Sequence, residues 1–126
     1  MRSFFHLSFA LVAVAVSSGC GQPKAGDTCD TTGFLCSSPT SALECRVGTW
    51  VTLPCRGTNG CKRQADLVSC DMTGNAEGDA CASTAEAKGL CTTDGKGTLE
   101  CRDGTLVKTN TCRTCTVSGD TVVCQQ

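Results

Sequence analysis

The chain has 126 residues, of which 13 are cysteine and only one is tryptophan, and its formal net charge is −1. A charge so close to zero gives no electrostatic basis for binding nucleic acid or an anionic membrane surface, so we expect no nucleic-acid partner. Cysteine at this density is typical of short exported chains that disulfides hold together. The composition therefore predicts an oxidising compartment.

Residues 1–19 have the features of an export signal. Arg2 supplies one positive charge, and an apolar run over residues 4–16 follows, broken by His6 and Ser8. A charged start, an apolar stretch of about a dozen residues and small residues before a cleavage point make a secretory signal, and the run is too short to span a bilayer. We predict a lipoprotein signal peptide over residues 1–19. Its removal takes away His6, the only histidine of the chain.

Cys20 is the odd cysteine, because the other twelve form two sets of six. An odd thiol in an exported chain needs a modification or a partner. The segment Val16-Ser17-Ser18-Gly19-Cys20 predicts that Cys20 is the lipidation site of a bacterial lipoprotein, with residues 20–25 as the lipidated N-terminus and spacer. The alternative is ordinary signal cleavage, which leaves a free or intermolecular thiol, and Ser17 stands where such signals usually carry leucine.

The remaining cysteines belong to an internal repeat. Residues 43–51 and 99–107 are identical at seven of nine positions, and Gly26-Asp27-Thr28-Cys29 corresponds to Gly78-Asp79-Ala80-Cys81. We predict a six-cysteine module 1 over residues 26–71, a linker over residues 72–77 and a six-cysteine module 2 over residues 78–126. The predicted structural disulfide cysteines are Cys29, Cys36, Cys45, Cys55, Cys61 and Cys70 in module 1 and Cys81, Cys91, Cys101, Cys112, Cys115 and Cys124 in module 2. Six cysteines allow 15 pairings per module, and the spacing selects none.

The predicted fold class is small, disulfide-rich and mostly β, with two tandem three-disulfide modules built from short antiparallel strands. The turn signals Asp94-Gly95, Asp103-Gly104 and Ser118-Gly119 are flanked by Thr, Val and Leu, as in strands. Each module should hold a three-stranded meander around its second, third and fourth cysteines, followed by a short hairpin.

The central turn of the meander predicts which residues share a face of the sheet. A two-residue turn places Cys45 opposite Trp50 and Cys101 opposite Leu106. Leu43, Cys45 and Trp50 would then lie on the inner face, with Glu44 and Arg46 on the other face.

The residues give no support for an enzyme. Without a histidine, no Ser-His-Asp or Cys-His arrangement can be assembled. The carboxylate pairs Asp27 with Asp30 and Glu77 with Asp79 lack the cleft that a two-acid mechanism needs, and Asp27 and Asp79 suit turn caps. We predict a non-enzymatic protein that has no cofactor.

Cys112-Arg113-Thr114-Cys115 has the spacing of a redox-active or zinc-binding pair. No helix start or βαβ pattern accompanies it, and the corresponding Cys55 and Cys61 lie further apart. We therefore expect a structural disulfide for each cysteine and predict no metal site.

Trp50 is the candidate ligand contact, since an exposed tryptophan on a small sheet can stack on a sugar ring. Its predicted inward position favours core packing instead, and its counterpart is Leu106. Residues 56–60, beginning with Arg56, form the loop that a protease inhibitor could present to a trypsin-like enzyme.

The chain resembles the cysteine-rich surface lipoproteins of myxobacteria. The resemblance rests on the signal ending at Cys20 and on the repeated elements Gly-Asp-Xaa-Cys, Leu-Glu-Cys-Arg-Xaa-Gly-Thr and Val-Xaa-Cys. It implies an envelope location, at the outer membrane or cell surface. Gly21 is compatible with outer-membrane transfer, because it is not the aspartate that retains lipoproteins at the inner membrane.

The stretch Cys45-Arg46-Val47-Gly48-Thr49-Trp50 is more weakly similar to small six-cysteine chitin-binding modules. That similarity implies sugar stacking for Trp50 alone, because module 2 carries Leu106 at the matching position.

These observations lead to three function hypotheses. The first is a non-enzymatic lipoprotein with a structural, adhesive or binding role at the bacterial cell surface, whose partner is the membrane through its lipid and whose glycan or protein ligand is unknown. The second is a carbohydrate-binding module for chitin or peptidoglycan. The third is a secreted protease inhibitor.

Overall fold

The computed structural model describes residues 21–126, so the predicted signal and Cys20 lie outside the described residues. The described part is built from short strands and one 3-10 turn. The elements are β1 (Phe34–Ser38), β2 (Ser41–Arg46), β3 (Thr49–Pro54), β4 (Cys61–Gln64), β5 (Leu67–Cys70), the 3-10 turn η1 (Ser83–Ala85), β6 (Gly89–Cys91), β7 (Gly97–Arg102), β8 (Thr105–Thr111), β9 (Thr114–Ser118) and β10 (Thr121–Gln125). The predicted fold class is confirmed.

Each half of the chain holds one three-stranded meander and one hairpin. The sheet orders are β1-β2-β3 with the hairpin β4-β5, and β6-β7-β8 with the hairpin β9-β10. All of these pairings are antiparallel. The predicted two-residue turn is present in both meanders, since Cys45 pairs with Trp50 and Cys101 pairs with Leu106.

The six disulfides follow the same order in both halves. The first cysteine bonds the third, the second bonds the fifth, and the fourth bonds the sixth. The pairs are Cys29–Cys45, Cys36–Cys61 and Cys55–Cys70, then Cys81–Cys101, Cys91–Cys115 and Cys112–Cys124. Each bridge contributes on the order of 2–4 kcal/mol by restricting the unfolded chain. Two of the three bridges in each half join the meander to its hairpin.

The Gly-Asp-Xaa-Cys element works as a clamp at the start of each module. The Gly26 amide donates to the Trp50 carbonyl, and the Trp50 amide donates to the Asp27 carbonyl, both at 2.9 Å. Gly78, Asp79 and Leu106 repeat the arrangement at 2.8 and 2.9 Å. Glycine suits this place because its φ is 91° and 90° in the two copies, a region that side chains disfavour.

The aspartates of the two clamps cap turns, as their sequence position indicates. The Asp27 carboxylate accepts from the Lys24 amide at 2.8 Å, and the Asp79 carboxylate accepts from the Ala76 amide at 3.0 Å. The chain before each clamp is thereby folded onto the module that follows.

The hydrophobic core is shared by the two modules. Module 1 contributes Ala42, Leu53, Cys55 and Cys61, and module 2 contributes Cys81, Ala82, Ala85, Leu99, Cys101 and Leu106. In module 2 the core face is therefore the one that carries Leu99, Cys101 and Leu106.

In module 1 the residues share faces of the sheet as predicted, but the shared core lies on the face that carries Glu44. Leu43 and Cys45 are buried and Trp50 is half-buried, but none of them belongs to the shared core. The opposite face carries Ala42 and Glu44, and both are buried. The burial of Glu44 was not predicted, and it arises because module 2 packs on that side of the sheet.

The linker residue Asn75 fixes the linker against module 1. Its side chain is completely buried. Its carbonyl oxygen accepts from the Arg56 amide at 3.0 Å, and its amide group donates to the Pro54 carbonyl at 2.8 Å. A Cβ atom at Gly74 would lie 2.3 Å from the Arg56 carbonyl oxygen, so this close approach requires glycine.

Val47 is an unfavourable residue for its turn, and Val47→Asn should stabilise the protein. Its φ is 46° and its side chain is fully exposed. A β-branched residue is strained in the left-handed region, whereas Asn-Gly is preferred in such hairpin turns. We expect a gain of about 1 kcal/mol in guanidinium unfolding with the disulfides intact.

Asp103→Asn is the matched control, because Asp103 occupies the same place in module 2 with a φ of 52°. It should leave the free energy of unfolding nearly unchanged. If Val47→Asn were no more stable than the parent chain, the turn would not be strained.

Candidate functional site

The candidate functional site is the joint between the modules, where Glu44 is the central residue. Glu44 lies on β2 and is 2% exposed. Its carboxylate accepts from the Ser83 amide at 3.0 Å and from the Ser83 hydroxyl, and it forms an ion pair with Arg46. Arg46 also donates to the Cys81 carbonyl. One acidic and one basic side chain of module 1 thus hold the start of module 2.

The turn residue Gly104 of module 2 lies against the Arg46 guanidinium of module 1. A Cβ atom at Gly104 would lie 2.5 Å from Nη1 of Arg46 and would displace the guanidinium, and the φ of 77° at this position also favours glycine. The Glu44 carboxylate has three donors from Ser83 and Arg46, which leaves it little capacity to accept a substrate proton. The arrangement therefore holds the two modules together.

The equivalent residues of module 2 are Glu100 and Arg102, which do not hold a neighbouring module within residues 21–126. Glu100 and Arg102 form an ion pair with an Nε–Oε1 distance of 3.0 Å, and the Arg102 side chain is 58% exposed. The hydrogen bond from Arg102 to Glu100 raises the pKa of Arg102. Within residues 21–126 the side chains of this pair hydrogen-bond only to each other.

A second ion pair crosses from module 1 to the clamp of module 2. Nε of Arg56 lies 2.9 Å from Oδ2 of Asp79. This hydrogen bond is the main reason that the pKa of Asp79 is lowered. Arg56 begins the loop considered for protease inhibition, and its guanidinium is engaged by Asp79.

The remainder of that loop is folded back onto Asp71. The Gly57 amide donates to the Asp71 carbonyl at 2.9 Å, and the Asn59 amide donates to the Asp71 carboxylate at 3.1 Å. The pKa of Asp71 is lowered, chiefly by the hydrogen bond from the Thr73 hydroxyl. The carboxylate therefore serves as a loop anchor.

Two open grooves lie near these residues. The larger, of about 710 Å³, is lined by Thr58, Asn59, Lys62, Gln64, Leu67, Val68, Ser69, Asp71 and Thr73. The second, of about 450 Å³, runs between the central turns of the two meanders and is lined by Glu44, Cys45, Arg46, Val47, Ser83, Glu86, Asp103 and Gly104. Neither groove is lined by an aromatic side chain.

Trp50 is held by its backbone and lies at neither groove. Its amide and carbonyl are bound by Asp27 and Gly26, and its side chain is half-buried. The equivalent Leu106 is completely buried.

The cysteines of the Cys-Xaa-Xaa-Cys element belong to different bridges. Cys112 bonds Cys124, and Cys115 bonds Cys91. Across residues 21–126 there is no group of three or more His, Cys, Asp or Glu residues that could hold a metal ion. In the same part of the chain, none of the helical segments has the length and apolar character needed to cross a membrane.

Sequence reasoning missed two residues of the joint, Glu44 and Asn75. Glu44 lies in the element Leu-Glu-Cys-Arg, which is identical in both copies, so nothing in the element distinguishes the buried Glu44 from the half-buried Glu100. Asn75 follows a glycine and was interpreted as part of a simple linker.

No known protein family, curated protein or solved structure matches this chain.

Truncation of the two equivalent glutamates should have very different effects on stability. Glu44→Ala removes a buried carboxylate and leaves Arg46 and Ser83 without their partner, which should cost about 2–3 kcal/mol. Glu100→Ala is the matched control and should change stability by less than about 0.5 kcal/mol, since exposed ion pairs contribute little. Guanidinium unfolding of both variants measures this, and equal effects would contradict the described joint.

Proposed function

We propose that the chain is a non-enzymatic protein of the bacterial envelope, anchored by a lipid on Cys20, with a structural or adhesive role at the cell surface. The observation that carries the proposal is the complete pairing of the other cysteines. The six disulfides use all twelve cysteines from Cys29 to Cys124. None of them is left to pair with Cys20, so acylation accounts for the odd thiol.

The position of the N-terminal segment agrees with this proposal. Residues 21–25 lie in one shallow groove with Leu43 and Thr52 of module 1, and Lys24 is bound to Asp27. A lipid attached to Cys20 would therefore hold module 1 close to the membrane and direct module 2 away from it.

The engagement of the buried and half-buried carboxylates also favours a structural role. Glu44, Asp71 and Asp79 each accept several hydrogen bonds from neighbouring residues. Catalytic acids and bases need a proton-accepting oxygen that faces a substrate. These carboxylates instead stabilise loops and the joint between the modules.

A sugar-binding role receives less support. Trp50 is half-buried and lines neither of the grooves described above. Stacking on a sugar needs a ring face that is open to solvent.

The anchor is tested by the intact mass of the protein from its native membrane fraction, before and after reduction. We expect a chain that begins at residue 20, carries acyl mass and gains the twelve hydrogens of six reduced disulfides. Cys20→Ser should move the protein to the soluble fraction, while the control Ser18→Ala should leave it in the membrane. An unacylated native chain with a free or dimer-forming thiol would overturn the proposed anchor.

A further inference from the structure

A small cavity lies where the linker packs on module 2, apart from the contacts of Glu44. Its volume is about 290 Å³. The β6-β7-β8 sheet contributes Leu90 and Leu106, the η1 turn contributes Ala85, and the linker contributes Met72. Leu106 is completely buried, whereas Met72 and Leu90 are half-buried. The cavity therefore extends from the surface toward the shared core, at a boundary between structural units where ligand sites are common.

The cavity lies beside a position at which the two repeats differ in side-chain size. Cys45 pairs with Trp50 in module 1, and Cys101 pairs with Leu106 at the same place in module 2. Leucine is smaller than tryptophan, so module 2 fills less of the space at this position. Side chains that line a cavity lose dispersion contacts on one side. An apolar molecule of the right size would supply those contacts.

Two of the polar residues at the cavity are bound to each other. The Asp71 carboxylate accepts from the Thr73 amide at 3.1 Å and from the Thr73 hydroxyl at 2.6 Å. Its second oxygen accepts from the Asn59 amide at 3.1 Å. Asp71 and Thr73 thus belong to the loop anchor described above, and their hydrogen-bonding groups are engaged.

Lys88 is the one cation that lines the cavity. Its backbone is held in place, because its amide donates to the Ala85 carbonyl at 2.9 Å and its carbonyl accepts from the Cys101 amide at 3.1 Å. Its side chain is exposed, and the ion pairs found within residues 21–126 do not include it. The rim of an apolar cavity therefore carries an ammonium group that can pair with an anion.

We propose that this cavity binds a compact apolar molecule that carries one carboxylate, as a medium-chain fatty acid does. The apolar part packs against Met72, Leu90 and Leu106, and the carboxylate pairs with Lys88. The volume corresponds to about ten non-hydrogen atoms, at roughly 30 Å³ for each, which is the share of one water molecule in the liquid.

The two parts of the ligand have different roles in this site. Burial of the apolar chain supplies most of the affinity, because an ion pair at an exposed rim contributes little. The pair with Lys88 instead selects the sign of the charge on the ligand. This inference goes beyond the proposed structural role and does not depend on the lipid at Cys20.

The test is isothermal titration calorimetry of straight-chain carboxylates, from butanoate to dodecanoate, below their micelle concentrations. The protein is the chain from residue 21 onward, which contains every described element and all six disulfides. Affinity should rise about threefold to fourfold for each added methylene. The rise should stop at a chain of about ten carbons, when the cavity is full.

The charge selection is tested with decyltrimethylammonium, which has the chain length of decanoate and the opposite charge. It should bind about tenfold more weakly than decanoate. Lys88→Glu should reverse this preference. Lys62→Glu is the matched control, because Lys62 is an exposed lysine that lines the larger groove, and it should retain the preference for decanoate.

The location of the apolar chain is tested with Leu106→Trp, which places the residue of module 1 in module 2. The indole should fill the cavity and weaken decanoate binding about tenfold or more. Thermal unfolding of each variant confirms that it is folded.

Two results would overturn the inference. One is the absence of binding for the whole carboxylate series, and the other is decanoate binding that survives both Lys88→Glu and Leu106→Trp. Because this experiment uses the chain without its lipid, a negative result leaves the proposed anchor on Cys20 untouched, and the mass measurement tests that anchor separately.

Discussion

The order of disulfide pairing is the constraint on which the rest of this structure depends. The chain from residue 20 onward has only seventeen large apolar residues, too few for a conventional core. The first-to-third bridge fixes the clamp against the central strand, and the other two bridges fix the hairpin against the meander. With these distances set, a few aliphatic side chains and the cystines themselves fill the interior.

Equivalent residues of the two repeats have different surroundings in the structure, although their sequences are alike. The element Leu-Glu-Cys-Arg-Xaa-Gly-Thr occurs twice, yet Glu44 is buried at the joint and Glu100 is only half-buried. The difference arises because module 2 packs against the Glu44 side of module 1, where Ser83 donates to the Glu44 carboxylate.

Much of the fold was predictable from local patterns. Asp103-Gly104 indicated the turn, and the turn set the pairing of Cys101 with Leu106. The disulfide order was not predictable, because spacing alone leaves the pairings of six cysteines open. The burial of Glu44 and Asn75 could not be predicted either, since both depend on contacts between modules that an individual repeat does not encode. The sequence of Trp50 and its neighbours likewise left its exposure open.

Disulfide mapping of the unreduced protein by mass spectrometry tests this account most directly. Cleavage after Arg113 and Asp120 separates the last three cysteines of module 2. The structure predicts that Cys112 is linked to Cys124 and Cys115 to Cys91, with the equivalent order in module 1. A bond between Cys112 and Cys115, or a different order in the two modules, would contradict the shared architecture.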